Sequence, residues 1–528
     1  MLSDAGSVLV VADRVRTAAG ILGDAVLVRS GTVQAVGWAD ALRRPGLAEE
    51  RYRGAVLVPG LGDAHFHPMG YGAALSRLNL GGAADLDEVF VRLRSSAGST
   101  SPGQPLIGTR LDDEALAEKR LPLRHEIDSV AADRPVLLYR YCGHVAVANT
   151  AAFEAAGIGP SVVDPVGGHF GRDDSGGLTG LLQETAVSLV GDVLGGRVGG
   201  LKPAEVLAAL HRLVALGMTR ICAIVATGSE LFCGVGNELD LLIDIASDLP
   251  LHVSALVVAR DPDDLEQAAR RMERAGRRLQ FLGMKDFTDG SLGGRTAALG
   301  LPYSDDPTTT GTLRFDHERL YPLARRSLQL GGSVALHAIG DVAVGRVLDL
   351  YGILAETGVD PDRLRIEHAS VTTDADIARM ADLGVTASVQ PAFLASEGGW
   401  LRSRLGDRVE QTYRFRTMES AGVPMAGGSD CPVEPPSPLW GMAAARHRGG
   451  LVPSESLEPD SALALFTDGV ATAVREPSPL SAGSRADFTL LDIDPVDVDP
   501  VTLRNASVIG VWIDGEPQDL DLEAPSWV

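Results

Sequence analysis

Lysine is nearly missing from this chain: its 47 basic residues include only Lys119, Lys202 and Lys285. Where arginine is used almost everywhere, a lysine inside an apolar strand stands out. Cysteine is also scarce. Cys142, Cys222, Cys233 and Cys431 are scattered without a C-x-x-C pair, which excludes a disulfide framework and a structural zinc module and makes a reducing cytoplasm the expected compartment. No run of about 18 uncharged apolar residues occurs, so no membrane span is expected. Met1 to Val11 carries Asp4 and no basic segment before its short apolar run, unlike a secretory leader. Net positive charge is missing as well. A formal charge of -23 repels phosphates and argues against nucleic acid or an anionic membrane as partner. The densest cationic cluster, Arg270, Arg271, Arg274, Arg277 and Arg278, is spaced as on one flank of a helix and reads as a solvated face.

What is present is bulk and periodicity. With 528 residues, 45% of them hydrophobic and 22% charged, the chain can bury a large core in more than one structural unit. Short β-type runs open it (Val8 to Val11, Ala25 to Val28, Thr32 to Val36) and the same style returns at its end (Asp487 to Leu491, Val508 to Trp512, then the turn Asp514-Gly515). One small β-sandwich built from residues 1–57 and 476–528 is expected. Between them, apolar strands beginning near Val56, Thr219, Leu251, Phe281, Ser333, Leu364, Val385 and Val423 alternate with helical stretches such as Pro203 to Leu216 and Asp261 to Ala275. Eight such units predict an α/β fold of the (β/α)8 TIM-barrel type over 58–475. The gap after the first strand, about 70–215, is too long for a plain loop and predicts an insertion, a candidate lid over the barrel mouth.

The chemistry-bearing residues gather at predicted strand ends. His65 and His67 close the first run, and residues two apart on a strand project to one side, so both imidazoles can grip one metal. His337 closes Ser333 to Leu336 and His368 closes Leu364 to Glu367. Any one of these could be an ordinary core histidine; four at the ends of barrel strands point to a site at the barrel mouth. Asp430 follows Gly427 and Gly428, where a carboxylate can take a proton from metal-bound water or, alternatively, serve as a helix N-cap. Lys285 lies in the fourth strand, Phe281 to Phe287, where a buried ammonium is costly unless paired, with Asp286 or Asp289, or converted by carbon dioxide into a carbamate that bridges two cations.

The ordered set His65, His67, Lys285, His337, His368 and Asp430 resembles the amidohydrolase superfamily. Lys285-Asp-Phe-Thr-Asp-Gly-Ser-Leu-Gly-Gly-Arg-Thr-Ala297, His337-Ala-Ile-Gly-Asp341, Ser388-Val-Gln-Pro391 and Gly428-Ser-Asp-Cys-Pro-Val433 are similar to its YtcJ-like branch, which includes N-substituted formamide deformylases. The similarity runs over nearly the whole chain, to Gly483-Ser-Arg-Ala-Asp487. It implies a (β/α)8 barrel with a two-ended sandwich and one or two divalent ions, usually zinc. His65 and His67 would hold the more buried ion and His337 and His368 the more exposed one, with carboxylated Lys285 bridging and Asp430 as ligand and proton shuttle. Glu397 stands where the branch often has Asp, and Gly108-Thr-Arg-Leu-Asp112 replaces its Gly-Trp-Asp element.

The expected reaction is hydrolysis of an amide-type C–N bond in a small molecule by metal-bound hydroxide, with Asp430 passing the water proton to the leaving nitrogen. His144 and Arg295 are the candidate substrate contacts, each with a structural alternative as a hydrogen-bonder or ion-pair partner. A cyclic amide, imide or ester is the competing substrate class, and a metal- or ligand-binding barrel without catalysis is the competing function. Homodimer assembly is a further open expectation. No G-x-S-x-G elbow, P-loop or H-E-x-x-H helix offers another mechanism, and Cys431 reads as a bystander thiol. Trp400, Phe393, Tyr303 and Trp440 suggest an apolar pocket, with packing as the alternative.

Overall fold

Side chains that alternate along a strand point to opposite faces, and the opening strand Ser7–Thr17 uses both. Leu9 and Val11 pack with Ala25 and Leu27 on one side, while Val10 and Ala12 pack with Val26, Leu57, Phe488 and Trp512 on the other. These contacts come from a computed structural model that describes residues 6–101, 103–141, 143–165, 167–194, 201–228 and 238–520. Eight strands form this sheet, in the order Glu516–Pro517, Val508–Ile513, Phe488–Leu491, Val56–Pro59, Ser7–Thr17, Gly20–Arg29 and Thr32–Gly37, with Ala48–Arg51 also on Ser7–Thr17. Thr32–Gly37 curls back toward the segment before Phe488, since Val33 N–H donates to Ser484 O (2.9 Å) and Gly483 N–H to Val33 O (2.8 Å). The two chain ends thus make one sandwich.

A second sheet of eight strands, all parallel and in sequence order, is the barrel: Leu61–Phe66, Met218–Ala226, His252–Val258, Leu279–Phe287, Ser333–Ala338, Leu364–His368, Thr386–Val389 and Met425–Gly427. Every residue of Met218–Ala226 is buried, as a strand covered on both faces requires. Helices cover the outside. Pro203–Ala215 starts with Pro at its first turn and Glu205 reaching back to the Lys202 N–H (2.8 Å), and Pro262–Met272 is capped by Asp261. The ring closes at its C-terminal rim, where Phe66 bridges Cys431, Asp430 N–H donates to His65 O (2.8 Å) and His67 N–H to Cys431 O (3.0 Å).

Two expectations are corrected. The run from Val56 does not enter the barrel as one strand: it divides at Gly60, with Val56–Pro59 in the terminal sheet and Leu61–Phe66 in the barrel. Pro59 has no N–H to donate, and a Cβ at Gly60 would lie 2.3 Å from Thr219 Oγ1, so only glycine lets the chain change sheets against its neighbour. The other seven strands begin within two residues of their expected starts. The Arg270 to Arg278 cluster is not one helical flank, because the helix ends at Met272. Arg270 pairs with Glu266 and Arg271 with Asp240, whereas Arg277 and Arg278 reach Asp514 in the terminal sheet.

The insertion carries its own six-stranded sheet, ordered Gly168–Arg172, Leu178–Glu184, Val145–Ala148, Val136–Arg140, Leu106–Leu111 and Leu78–Asn79, with apolar clusters on both faces. Arg404 of the barrel ties to it through Glu114 (2.9 Å), and Arg314 through Glu184 (3.0 Å). No helix among the described residues is long and apolar enough to cross a membrane.

Candidate metal centre

The buried strand Leu364–His368 explains much of the site. Arg365 and Glu367, two apart, both lie inside the barrel; Arg365 binds Glu367 through Nε (2.6 Å) and Nη2 (3.1 Å) and is anchored on the carbonyls of Ala64 (2.9 Å) and Ala473 (3.2 Å). Glu367 in turn accepts from His65 Nδ1 (2.5 Å). Burial pushes Glu367 up, but Arg365 and His65 outweigh it and hold the carboxyl well below its usual range. Next to Glu367, His368 would point outward on a regular strand. Its φ of 77°, followed by 46° at Ala369, ends the strand in a left-handed turn, and the ring lies 4.8 Å from that of His65 and 4.5 Å from that of His337. Such a conformation costs about 1–3 kcal/mol in a residue with a Cβ.

Each of these three imidazoles has one nitrogen tied to a buried acceptor. His65 Nδ1 faces Glu367, His368 Nδ1 donates to Gln390 Oε1 (2.8 Å), and His337 Nε2 donates to Gly290 O (3.0 Å). The opposite nitrogens carry the lone pairs, which is how an imidazole is held for a metal. His337 Nδ1 is buried with no hydrogen-bond partner among the described residues, a cost that a cation would remove. Burial holds His67 below its ordinary value and His337 and His368 well below theirs, with Lys285 acting the same way on all three, which favours the neutral form that binds a metal.

Asp430, at φ 55°, is carried by the turn after the last barrel strand and is not a helix cap; its Oδ1 lies 3.1 Å from His67 Nε2 and 3.4 Å from His65 Nε2. Burial raises this carboxyl, yet the neighbouring His65 and His67 hold it below the carboxylate range. Glycine is required beside it, because a Cβ at Gly428 would lie 2.7 Å from His65 N. Asp63 secures the same corner, accepting from His65 N–H (2.9 Å) and from Ser429 Oγ (2.5 Å). Ligating atoms of His65, His67 and Asp430 all lie within 4.8 Å of one another.

Lys285 is 1% exposed, donates to Asp286 O (3.2 Å) and sits 3.6 Å over the Phe287 ring. Of the carboxylates offered by the ion-pair reading, Asp286 also binds Arg319, and Asp289 accepts from the N–H groups of Ala298, Ile339 and Gly340 (3.0, 3.0 and 2.8 Å). Three imidazole lone pairs, a fourth histidine, a carboxylate and a buried amine fit a divalent first-row cation. A second group, His252, Asp487 and Asp514, differs because its carboxylates already meet Arg220, Arg485, Arg277 and Arg278; it is an ion-pair seam between barrel and terminal sheet.

The histidines and Asp430 line a cavity of about 920 Å³, counting its open mouth, walled also by Tyr141, His144, Phe287, Phe393 and Glu397. His144 enters from the insertion, with Nδ1 3.0 Å from Glu184 Oε2. Arg295 does not line this cavity. The turn from Ser291 to Thr296 carries it away at φ 54°, and it binds Asp305 through Nε (3.1 Å) and Nη2 (2.9 Å). Of the four aromatics only Phe393 lines the cavity, stacked 6.1 Å from His368. Trp400 is buried against Arg404, Tyr303 donates to Ala297 O (2.9 Å), and Trp440 lies under Arg504 in a separate groove. Glu397 accepts from the Tyr413 hydroxyl, and burial pushes it up to about 7. Cys431 is fully buried, which raises its thiol well above the ordinary value and suits a bystander. Cys142 and Cys233 lie outside the described residues.

Sequence reading did not single out Glu367, Arg365, Gln390, Asp63, Glu184 or Arg314. Opposite charges two apart in the apolar run Leu364 to His368 were a usable signal for the first pair; nothing local marked Glu184.

Residues 53–518 match the amidohydrolase family. The chain is 31% identical over 518 residues to YtcJ of Bacillus subtilis (strain 168), named as an amidohydrolase, covering 93% of this chain and 95% of that one. It is 29% identical over 516 residues to the N-substituted formamide deformylase of Arthrobacter pascens, covering 93% and 94%. Among solved structures, a metal-dependent hydrolase of Pyrococcus horikoshii superposes with a TM-score of 0.74 at 29% identity, over 94% of this chain and 99% of that one. Together with the strand-end histidines and Asp430, these matches establish that the chain belongs to the amidohydrolase family and is a metal-dependent hydrolase.

Proposed function

We propose that this hydrolase cleaves a C–N bond of amide or N-substituted formamide type in a small molecule, using zinc. The observation that carries the reading is the set of three imidazoles, His65, His337 and His368, each tied off at one nitrogen, that lines one cavity with Asp430. His65, His67 and Asp430 would hold one ion, and His337 and His368 a second, with Lys285 between them as a carbamate. Such an ion supplies a nucleophilic water near neutral pH and polarises a carbonyl. Asp430, ionised beside His65 and His67, takes the proton of the attacking water and is the source from which the leaving nitrogen is reprotonated. Phe287 and Phe393 exclude bulk water from the reacting atoms. The formamide-cleaving relative from Arthrobacter pascens supports the bond class. The same reading assigns catalysis to residues 58–475, treats 1–57 with 476–528 as one supporting unit, and expects a cytoplasmic setting.

Metal analysis, peptide mass spectrometry under carbamate-retaining conditions, and a panel of formamides, N-acyl amino acids, hydantoins and lactones test it. About two equivalents of zinc, a modified Lys285 and hydrolysis of open-chain amides are expected. One equivalent without carbamate rejects the binuclear part. Activity confined to hydantoins or lactones rejects the bond assignment, and Asp430→Asn with undiminished turnover rejects the proton role.

A further inference from the structure

His144 is the one histidine of the cavity wall that the barrel does not supply, and it is held more elaborately than wall packing needs. Its Nδ1 lies 3.0 Å from Glu184 Oε2, and the same oxygen accepts from Arg314 Nη2 at 3.0 Å. The backbone repeats the pairing, because Glu184 N–H donates to His144 O (2.8 Å). Arg314 is itself pinned to the segment that follows the lysine-bearing strand, its N–H donating to Thr288 O (2.7 Å). Glu184 stands where Leu178–Glu184 turns into the helix Thr185–Gly191, at φ 53° and ψ −122°. Left-handed φ in a glutamate is strain, and strain kept at the carboxylate that meets a wall histidine calls for a reason. The Arg314 pair helps dock the insertion, as Arg404 with Glu114 does, but docking alone does not require the same oxygen to meet His144 as well. His144 lines the cavity and Glu184 does not, so Nδ1 is the ring nitrogen turned to the carboxylate behind the wall.

We propose that Glu184, clamped by Arg314, fixes His144 in the Nδ1–H tautomer, and that His144 Nε2 handles the proton of the nitrogen that leaves the substrate. This rests on the C–N hydrolysis proposed above. The Nε2 lone pair of that tautomer first accepts, through solvent, the proton that Asp430 took from water. As the C–N bond breaks, its electron pair stays on nitrogen and this Nε2 proton moves there, so one water is consumed, one acid and one amine leave, and His144 returns to the Nδ1–H form. Glu184 and Arg314 are positioning residues, as the carboxylate is in a serine-hydrolase triad.

Two measurements on the full-length metal-loaded protein test this. Nitrogen-15 histidine NMR without substrate, with His144 assigned by comparison with His144→Gln, should show the Nδ1–H tautomer in the wild type and its loss in Glu184→Gln. Kinetics should then separate leaving groups: His144→Gln is expected to lose about 100-fold or more on N-alkyl formamides, and at least tenfold less than that on 4-nitroformanilide, whose far less basic nitrogen needs less proton assistance to depart. Glu184→Gln should follow the same pattern more weakly. Equal losses on both classes, or an Nε2–H tautomer in the wild type, would overturn the proposal while leaving C–N hydrolysis standing. A wild type that cleaves no amide removes the C–N reading and the leaving-group role with it, and a tautomer that still follows Glu184 supports the positioning half alone.

Discussion

At the scale of single residues, Glu367 shows what holding an imidazole requires. It sits at 0% exposure between Arg365 and His65, so removing its charge strands a buried guanidinium. Glu367→Gln should destabilise the protein by about 3–5 kcal/mol in denaturant unfolding. It should also weaken zinc binding about 10–100-fold, since outer partners set ligand basicity; unchanged stability and metal affinity together would contradict this role. Glu184 makes a prediction about acid. Burial raises its carboxyl, but His144 and Arg314 overcome this and bring it from 4.5 to about 2. Because the folded value is the lower one, its contribution is complete above pH 4.5 and is lost as pH falls toward 2. Glu184→Gln should therefore be less stable than wild type at pH 6 by on the order of 3 kcal/mol, with the gap shrinking by pH 3. A gap independent of pH would show that the carboxylate's charge is not what stabilises.

At the scale of elements, the barrel closes where its chemistry is. The first strand and the segment after the last one exchange hydrogen bonds through His65, His67, Asp430 and Cys431, so the ligand-bearing residues are themselves the seam. Gly428→Ala would force a Cβ to within 2.7 Å of His65 N. We expect it to fold, with a metal affinity lower by about tenfold or more, because displacements well below 1 Å already spoil a coordination set; isothermal titration with zinc reads this, and wild-type affinity would show that the seam yields elsewhere. The strands themselves were legible, their apolar runs and terminal histidines lying in plain order from Thr219 to Asp430. The first differs because Pro59 and Gly60 sit inside the β-type stretch Val56 to Phe66, and only the approach of Thr219 to Gly60 shows that the chain changes sheets there.

At the scale of the whole molecule, barrel and insertion line the cavity, and the terminal sandwich, which supplies none of its lining among the described residues, is joined to the barrel. Their seams are charged, with Arg278 and His252 on Asp514 at one and Arg404 and Arg314 on Glu114 and Glu184 at the other. The large barrel core does not depend on a cation, so chelation should lower the melting temperature without unfolding the protein; at 100 times the dissociation constant the metal adds about 2.7 kcal/mol. Calorimetry before and after chelation checks this, and either no shift or complete unfolding would contradict it. By itself the sequence determined the alternation of strands and helices and the placing of histidines, Lys285 and Asp430 at strand ends, because periodicity and strand termini are local properties. Only the tertiary structure decided which nitrogen of each imidazole is free, that Arg295 is drawn off to Asp305, and that Glu184 and Arg314 stand behind His144. Those outcomes depend on contacts such as His65 with Glu367, 302 positions apart, which no local pattern encodes.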